Sequence, residues 1–292
     1  MNSTNGFWGE PTSTDWCEKN YEVTYYIAEF YNTISSLCLI FMGIFGSIMH
    51  AKGFDYRFTL CFRTITVIGF GSILFHGTLL FPLQHFDGIP MIFYILVLFY
   101  SVNENKKERK FGNWFPTMLF LWGFTVSTVL IFLGGYYQNK IMKLLEFYIF
   151  QGSFFLISIC VYLHIIAIVI NLKGETSIRS LMLRGTIIFL IGYLGWNIDY
   201  HFCKGLNKIS NLQLHAWWHL TASYSSYSIS LIVMFDRSKM LGKNPIIKWV
   251  YIILPYVELP LVSEQYLPSE VMSLERTLLM QKISVELSQE LS

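Results

Sequence analysis

The stretch ISNLQLHAWWHLTASYSSYSISLIVMF, residues 209–235, carries no Asp, Glu, Lys or Arg over the length that a membrane-spanning helix needs. His215 and His219 stand four residues apart within it, so on a helix both imidazoles project from one face, one turn apart. Ionisable groups are costly at membrane depth and usually mark a pathway or a binding site. The two histidines are therefore either metal ligands or a pair satisfied by interhelical hydrogen bonds near the membrane surface.

The amino-acid composition of the chain is that of a membrane protein. Of its 292 residues 53% are hydrophobic, 17% aromatic and only 14% charged, and the mean hydropathy is +0.45. Repeated apolar runs of about 20 residues in such a chain indicate a polytopic membrane protein, since a soluble fold would leave too much apolar surface in water. The net charge of +2 is too small, and the basic residues are too dispersed, to indicate a nucleic-acid partner.

Seven candidate spans predict an all-α membrane protein, a bundle of seven transmembrane helices in residues 30–235. The spans are Phe30–His50, Thr64–Leu83, Asp87–Val102, Trp114–Tyr136, Glu146–Asn171, Leu181–Phe202 and Leu212–Phe235. Residues 1–29 precede the bundle and lack the basic start and apolar core of a cleavable signal peptide. Residues 236–292 are polar and interrupted by prolines, and we expect them to be a partly disordered extramembrane tail.

Basic residues near the span ends predict the orientation of the bundle. Five lysines fall on one side of the membrane, whereas fourteen lysines and arginines fall on the other. The positive-inside rule places the side with fewer basic residues outside the cell or in a lumen. We therefore expect a lumenal N-terminus and a cytosolic C-terminus.

A third histidine joins the pair in the last span. His76 lies in a second uncharged run, residues 64–86, with Ser72 one helical turn earlier and Asp87 just beyond. In a seven-helix bundle these residues share the lumenal half with His215 and His219. Three imidazoles, a hydroxyl and a carboxylate make a catalytic zinc set, because three protein ligands leave the fourth position of the metal for water.

Both polar companions of His76 also have structural interpretations. Ser72 stands close to Gly69 and Gly71, and a small residue there permits close helix packing. Asp87 would cap the start of the third span, with Pro90 at an early helical position. The capping role is compatible with a catalytic one.

The five cysteines fall into two groups according to their expected position relative to the membrane. Cys17 and Cys203 fall on the lumenal face, where oxidation is allowed, and we expect a disulfide between them that holds the N-terminal segment over the mouth of the bundle. The other three fall within or at the edge of the spans, where we expect packing roles: Cys38, Cys61 and Cys160.

Four histidines remain outside the zinc set. His201 is the best candidate among them to support a metal ligand, because it lies near Asp199. For all four, namely His50, His85, His164 and His201, we nevertheless expect interfacial or locally satisfied side chains.

Several blocks of sequence resemble the alkaline ceramidases, in matching order from residue 7 to about residue 260. They are FWGEPT at 7–12, DWCEKNY at 15–21, AEFYNT at 28–33, GS at 71–72, FH at 75–76, TL at 78–79, WNID at 196–199 and HAWWH at 215–219. The resemblance implies hydrolysis of the ceramide amide to a sphingoid base and a fatty acid, by a zinc-dependent seven-helix enzyme of the endoplasmic reticulum or Golgi. The family belongs to a wider superfamily that includes the adiponectin receptors.

The resemblance also implies roles for individual residues. The implied zinc ligands are His76, His215 and His219. Asp87 would take the proton of the attacking water and pass it to the leaving amine, while Ser72 would hydrogen-bond the developing oxyanion. One departure is Gly88, which stands where the family usually has a glutamate and bears on the surroundings of Asp87.

The acidic N-terminal segment allows two interpretations. From the residues alone, its five carboxylates keep a translocated tail soluble and free of positive charge. The resemblance implies instead a calcium site, formed by Asp15, the backbone carbonyl of Trp16, Glu18, Asn20 and Glu29. Such an ion would relieve the repulsion among clustered carboxylates and tie the segment to the first span.

Three classes of function remain. A membrane amidohydrolase acting on ceramide within the bilayer is the leading hypothesis. A receptor of the adiponectin-receptor type would keep the zinc set and signal through the bundle. A transporter would need paired charges or broken helices at the midplane, and the uncharged cores of spans one, four and seven do not offer them. Apart from the lipid and the membrane, no obligatory protein partner is evident.

Overall fold

A computed structural model describes residues 6–260 except 15, 109, 137–139 and 210–211. Within these residues the chain forms eight helices and one two-stranded sheet. The elements are α1 (Phe30–Ser35), α2 (Leu37–Met49), α3 (Tyr56–Thr78), α4 (Phe81–Asn103), α5 (Trp114–Tyr136), α6 (Lys140–Asn171), α7 (Thr176–Ile209), α8 (Leu214–Met240), β1 (Ile246–Val250) and β2 (Leu254–Glu258).

Six helical stretches of the described chain are long and apolar enough to cross a membrane. They are Phe30–Met49, which combines α1 and α2, then α3, α4, Trp114–Leu133, Leu144–Asn171 and Thr176–Cys203. Helix α8 has 27 residues, a length of about 40 Å that would also span, but its serines and histidines make it less apolar. The chain is thus a helical membrane protein in which six spans are identified by their apolarity.

Four helices, α3, α4, α6 and α7, begin five to eight residues earlier than the expected spans. Helix α3 begins at Tyr56 and α4 at Phe81, because the polar side chains in their first turns do not prevent helix formation. Pro82 lies in the first turn of α4, so Asp87 belongs to the second turn and does not cap the helix. The expectation that Asp87 caps the third span is therefore wrong, and its carboxylate is presented from the body of a helix.

Helix α8 is the central element of the bundle and contacts α1, α2, α3, α6 and α7. In its second half the five consecutive residues Leu231–Phe235 are at most 1% exposed, so this stretch is buried on every side. The polar groups of α8 bond inside the protein, as where the Ser225 hydroxyl donates to a backbone carbonyl of α7 at 3.0 Å. Burial among other helices explains how a serine-rich helix occupies the core of a membrane protein.

A β-hairpin follows α8 and was not predicted from the sequence. Strands β1 and β2 are antiparallel, and Pro255 lies within β2 without interrupting it. The Tyr227 hydroxyl donates to the carbonyl of Pro255 at 2.6 Å, and the Val257 N–H donates to Nε2 of the buried His50 at 3.1 Å. The hairpin thus closes the end of the bundle opposite His215 and the start of α8. Residues 261–292 of the expected tail lie outside the described residues.

Candidate metal centre and active site

Three buried histidines meet between the end of α3 and the start of α8. His76, His215 and His219 are 0%, 4% and 4% exposed. One ligand nitrogen from each lies within 4.8 Å of the others, and their ring centroids are 4.7–5.0 Å apart. The structure therefore brings together the three histidines that the sequence singled out, in a group that can hold one metal ion.

Hydrogen bonds show which ring nitrogens are available to a metal. Nδ1 of His76 lies 2.6 Å from Oε2 of Glu29, and because a carboxylate only accepts, this nitrogen carries the proton and Nε2 keeps a lone pair. Nε2 of His76 and Nδ1 of His215 are buried without a hydrogen-bond partner in the described part of the chain. Buried polar atoms rarely lack partners, so these nitrogens indicate a ligand position. The set fits a metal ion, and imidazole nitrogens suit zinc.

A pair of serines at the break between α1 and α2 supports His219. Oγ of Ser35 lies 2.8 Å and Oγ of Ser36 3.3 Å from Nδ1 of His219. With Nδ1 engaged, Nε2 of His219 is the nitrogen left for the metal, as in His76. Sequence reasoning missed both serines, although two adjacent hydroxyls in an otherwise apolar span were an available signal.

Ser72 and Asp87 lie beside the histidines, on neighbouring helices. Oγ of the fully buried Ser72 is 3.5 Å from Nε2 of His219 and within hydrogen-bond reach of the Asp87 carboxylate. Gly71 permits this arrangement, because a Cβ there would collide with the backbone carbonyl of Phe86. The close-packing interpretation of this segment thus applies to Gly71, whereas the Ser72 hydroxyl faces the histidine site.

An apolar cavity of about 200 Å³ opens beside the histidines. The polar part of its lining includes Asp87, His215 and His219. Aromatic rings from α6, α7 and α8 dominate the rest of the wall: Phe147, Phe150, Phe154, Phe155, Tyr193, Trp196 and Trp218. The cavity suits an apolar ligand whose polar bond lies beside the histidines.

Comparison with known proteins identifies the family. A family model described as Ceramidase matches residues 9–258. The chain belongs to the ceramidase family. It is 32% identical to alkaline ceramidase 3 of Mus musculus over 265 residues, which cover 86% of this chain and 94% of that protein. It is 30% identical to an alkaline ceramidase of Arabidopsis thaliana, with 87% and 95% covered. An alkaline ceramidase of Saccharomyces cerevisiae is 28% identical, with 83% and 81% covered.

Glu29 connects the N-terminal segment of this ceramidase-family chain to the histidines. It is 0% exposed and accepts hydrogen bonds from His76, from the Asn32 side chain at 2.9 Å and from the Trp16 N–H at 3.0 Å. The Trp16 ring in turn stacks on the His215 ring at a centroid distance of 3.9 Å. A carboxylate behind a ligand histidine fixes the tautomer and the ring orientation. Sequence reasoning did not predict this role for Glu29.

Glu18 caps the first helix from within the N-terminal segment. Its carboxylate accepts from the backbone N–H groups of Tyr31 at 2.7 Å and Asn32 at 2.9 Å, and the residue is 6% exposed. Burial and, to a smaller extent, the nearby Glu29 carboxylate together raise the pKa of Glu18 to about 7 in spite of these two hydrogen bonds. The interpretation of a solvated tail is therefore wrong for Glu18 and Glu29, which are buried and repel one another.

The other expected calcium ligands are only partly described. Trp16 and Asn20 lie in the same folded segment as Glu18 and are partly buried. Asp15 lies outside the described residues.

A disulfide joins Cys17 to Cys203, with their Cα atoms 5.2 Å apart. Beside it the Asp199 carboxylate accepts hydrogen bonds from the backbone N–H groups of Cys17, at 3.1 Å, and of His215. The N-terminal segment is thereby fixed to α7 and to the first turn of α8. Of the two interpretations of His201, the supporting role is wrong, because its side chain is exposed. Asp199 makes the supporting contact instead.

A second cluster of polar side chains, Gln84, His85 and Glu146, also lines the cavity. Sequence reasoning missed this cluster. The Gln84 amide donates to Oε1 of Glu146 at 3.4 Å, and Nδ1 of His85 lies 4.0 Å from the same oxygen. Glu146 therefore brings a carboxylate from α6 to the cavity that Asp87 also lines. At Gly88 a Cβ would lie 3.4 Å from the Phe150 ring, so any side chain there would pack directly against the aromatic wall.

Proposed function

We propose that this chain hydrolyses the amide bond of ceramide to a sphingoid base and a free fatty acid, using a zinc ion held by His76, His215 and His219. One observation carries the proposal: three buried imidazoles, a hydroxyl and a carboxylate meet beside a largely apolar cavity that Asp87, His215 and His219 line. Membership of the ceramidase family and the relatives named alkaline ceramidases support the substrate class.

Each residue around the metal position has a separate role in the proposed hydrolysis. When bound, zinc supplies Lewis-acid chemistry and lowers the pKa of a coordinated water toward about 7. Asp87 takes a proton from the water that attacks the amide carbon and returns it to the amine nitrogen as the C–N bond breaks. Ser72 donates a hydrogen bond to the former carbonyl oxygen as negative charge develops there. Glu29 and Ser35 hold the rings of His76 and His219 in orientation.

The cavity explains how a membrane lipid would reach this chemistry. Its aromatic wall offers an apolar environment for the hydrocarbon next to the amide, while Asp87 belongs to the polar part of its lining. A volume of about 200 Å³ holds only part of a two-chain lipid. The remaining hydrocarbon would therefore stay in the bilayer during the reaction.

The proposal includes an orientation in the membrane. Helix α8 forms the seventh span, residues 1–29 and the histidine site face the lumen of the endoplasmic reticulum or Golgi, and residues 236–292 lie on the cytosolic side. The distribution of basic residues supports this orientation. The Cys17–Cys203 disulfide supports it as well, because disulfides form and persist in oxidising compartments.

A calcium ion in the N-terminal segment is the second metal of the proposal. Its oxygen ligands would be Asp15, the Trp16 carbonyl, Glu18, Asn20 and Glu29. The burial of Glu18 and Glu29 close to one another supports the site, since a divalent cation offsets the repulsion between two buried carboxylates. Because Glu29 also contacts His76, calcium would order the segment that positions a zinc ligand.

The test of the proposed function is ceramide turnover by the purified protein, before and after metal removal. We expect chelation to abolish turnover and zinc to restore it. His219→Ala should lose bound zinc and at least about 100-fold of the activity, since even supporting residues of metal sites contribute 10–100-fold. His201→Ala, which changes an exposed histidine at the end of α7, should keep both.

Two outcomes would contradict the proposal. Full zinc occupancy in His219→Ala would remove this residue from the ligand set. A protein that binds zinc through the three histidines yet releases no fatty acid from ceramide would favour the receptor hypothesis over the hydrolase.

A further inference from the structure

A second and larger cavity, of about 610 Å³, lies at the end of the bundle opposite the histidines. Its floor is one face of α4, formed by Phe93, Leu96, Val97 and Tyr100, and the walls come from the first turns of α3 and α5. We call this cavity the α4 groove. From Phe93 to the residue after α4 it runs for about 16 Å parallel to the helix axes, at 1.5 Å per residue.

The α4 groove is closed at its deep end and open at its sides. A Cβ on Gly123 of α5 would lie 2.8 Å from Leu96 and 3.0 Å from Phe93, so α5 and α4 are in contact there. Toward the start of α5 the apolar space between them is lined by Leu119 and Phe120. Phe120 is 59% exposed, and Tyr56 on the facing wall is 65% exposed. The groove is therefore bordered by the surface that faces lipid in a spanning bundle.

The rim of the α4 groove carries more positive than negative charge. Its two carboxylates are engaged within the protein: Asp55 pairs with Arg57 at 2.7 Å and with Arg237 at 3.0 Å, and Glu104 accepts hydrogen bonds from backbone N–H groups, among them that of Phe111. The two remaining rim cations, Lys106 and Lys107, have exposed side chains. Neither lysine forms an ion pair within the described ranges of the chain.

We propose that the α4 groove binds one anionic phospholipid of the surrounding bilayer, with an acyl chain along α4 and the phosphate at Lys106 and Lys107. The apolar floor runs parallel to the helices, as the chains of a bilayer lipid do, and the basic rim lies at the helix ends, where headgroups lie. Because the groove combines an apolar floor with a basic rim, it favours a charged amphiphile over an uncharged lipid or a free anion. The site is separate from the histidine centre and does not depend on the proposed hydrolysis.

The experiment measures the melting temperature of the purified full-length protein in detergent, titrated with phosphatidylserine, with phosphatidylcholine of the same acyl chains, or with inorganic phosphate. A ligand at 100 times its dissociation constant should raise the melting temperature by about 5 °C or more for a chain of this size. We expect that rise with phosphatidylserine, a smaller one with phosphatidylcholine and none with phosphate alone.

Three variants distinguish lipid binding in the α4 groove from nonspecific electrostatic attraction of anionic lipids to the protein. Lys106→Glu with Lys107→Glu should remove the difference between the two lipids, and Leu60→Trp, which fills the space beside the α4 floor from a partly exposed position, should weaken both. Lys52→Glu, an exposed lysine outside the groove at the same end, should leave the difference unchanged. Equal shifts for both lipids, an unchanged preference in the double variant, or an equal shift with phosphate alone would each overturn the proposal.

Discussion

Buried histidines occur at both ends of the bundle, and they use their ring nitrogens differently. His50, at the hairpin end, is 1% exposed, and both nitrogens are engaged: Nδ1 with the Gly46 carbonyl at 2.9 Å and Nε2 with the Val257 N–H at 3.1 Å. His76, at the other end, is 0% exposed, and only Nδ1 is engaged, with Glu29. Satisfied nitrogens hold secondary structure together, whereas an unpartnered buried nitrogen beside a cavity indicates a ligand.

Carboxylates at the two ends show a similar contrast. Burial alone would raise the pKa of Asp55, but the hydrogen bonds and charges of Arg57 and Arg237 outweigh it and hold this pKa below its ordinary value. Glu18, at the site end, has no cation beside it among the described residues, and burial raises its pKa. Asp55 at the hairpin end is thus neutralised by two arginines, whereas Glu18 at the site end lacks such a cation among the described residues and suits a metal ion.

Replacing Glu29 by Gln would disturb the site end most strongly. Whichever way the amide turns, an N–H donor of Gln would face either His76 Nδ1 or the Trp16 N–H. We expect zinc affinity to fall about 10–100-fold, as for other residues that support metal ligands. Activity at limiting zinc should fall with it, and the increase in melting temperature on adding calcium should disappear. Zinc analysis and melting curves after chelation measure both effects.

Glu22→Gln is the matched control for this prediction. Glu22 is exposed in the same segment, and its ion pair among the described residues is with Lys19, at 3.3 Å. The Glu22→Gln variant should keep its bound zinc, its activity and the increase in melting temperature with calcium. Equal calcium shifts in the unmodified protein and in Glu29→Gln would remove Glu29 from the calcium site.

Removing the disulfide at the site end should lower the stability of the protein. Cys17 and Cys203 are 186 residues apart, so the bridge restricts a long loop of the unfolded chain. Cys17→Ala with Cys203→Ala should lower the free energy of unfolding by about 2–5 kcal/mol. Cys160→Ala, an exposed free cysteine, should change it little. Alkylation of both Cys17 and Cys203 in the non-reduced native protein would contradict the bridge.

The sequence revealed the histidines but not most of their supports. Histidines in apolar runs are conspicuous because ionisable groups are costly at membrane depth. The contact of Glu29 with His76 spans 47 residues and depends on how the N-terminal segment folds, which no local pattern encodes. The supporting role considered for His201 is wrong because two residues along a helix are about 200° apart, so His201 faces away from the side on which Asp199 supports the site.

The pH dependence of His50 should distinguish the hairpin end from the site end. Its neutral ring donates from Nδ1 and accepts at Nε2, and a proton on Nε2 would oppose the Val257 N–H. Burial lowers the pKa of His50 from 6.5 to about 4. Between these values the unfolded chain binds a proton that the folded protein excludes, so stability falls as pH decreases from 6.5 and levels off below about 4. The loss should reach about 1 kcal/mol at pH 5.5 and about 3 kcal/mol at full protonation. Because Glu18 and other acids titrate too, the measurement is the difference in unfolding free energy between the unmodified protein and His50→Gln across this range. That difference should shrink on acidification, and a constant difference would show that protonation of His50 does not release the hairpin.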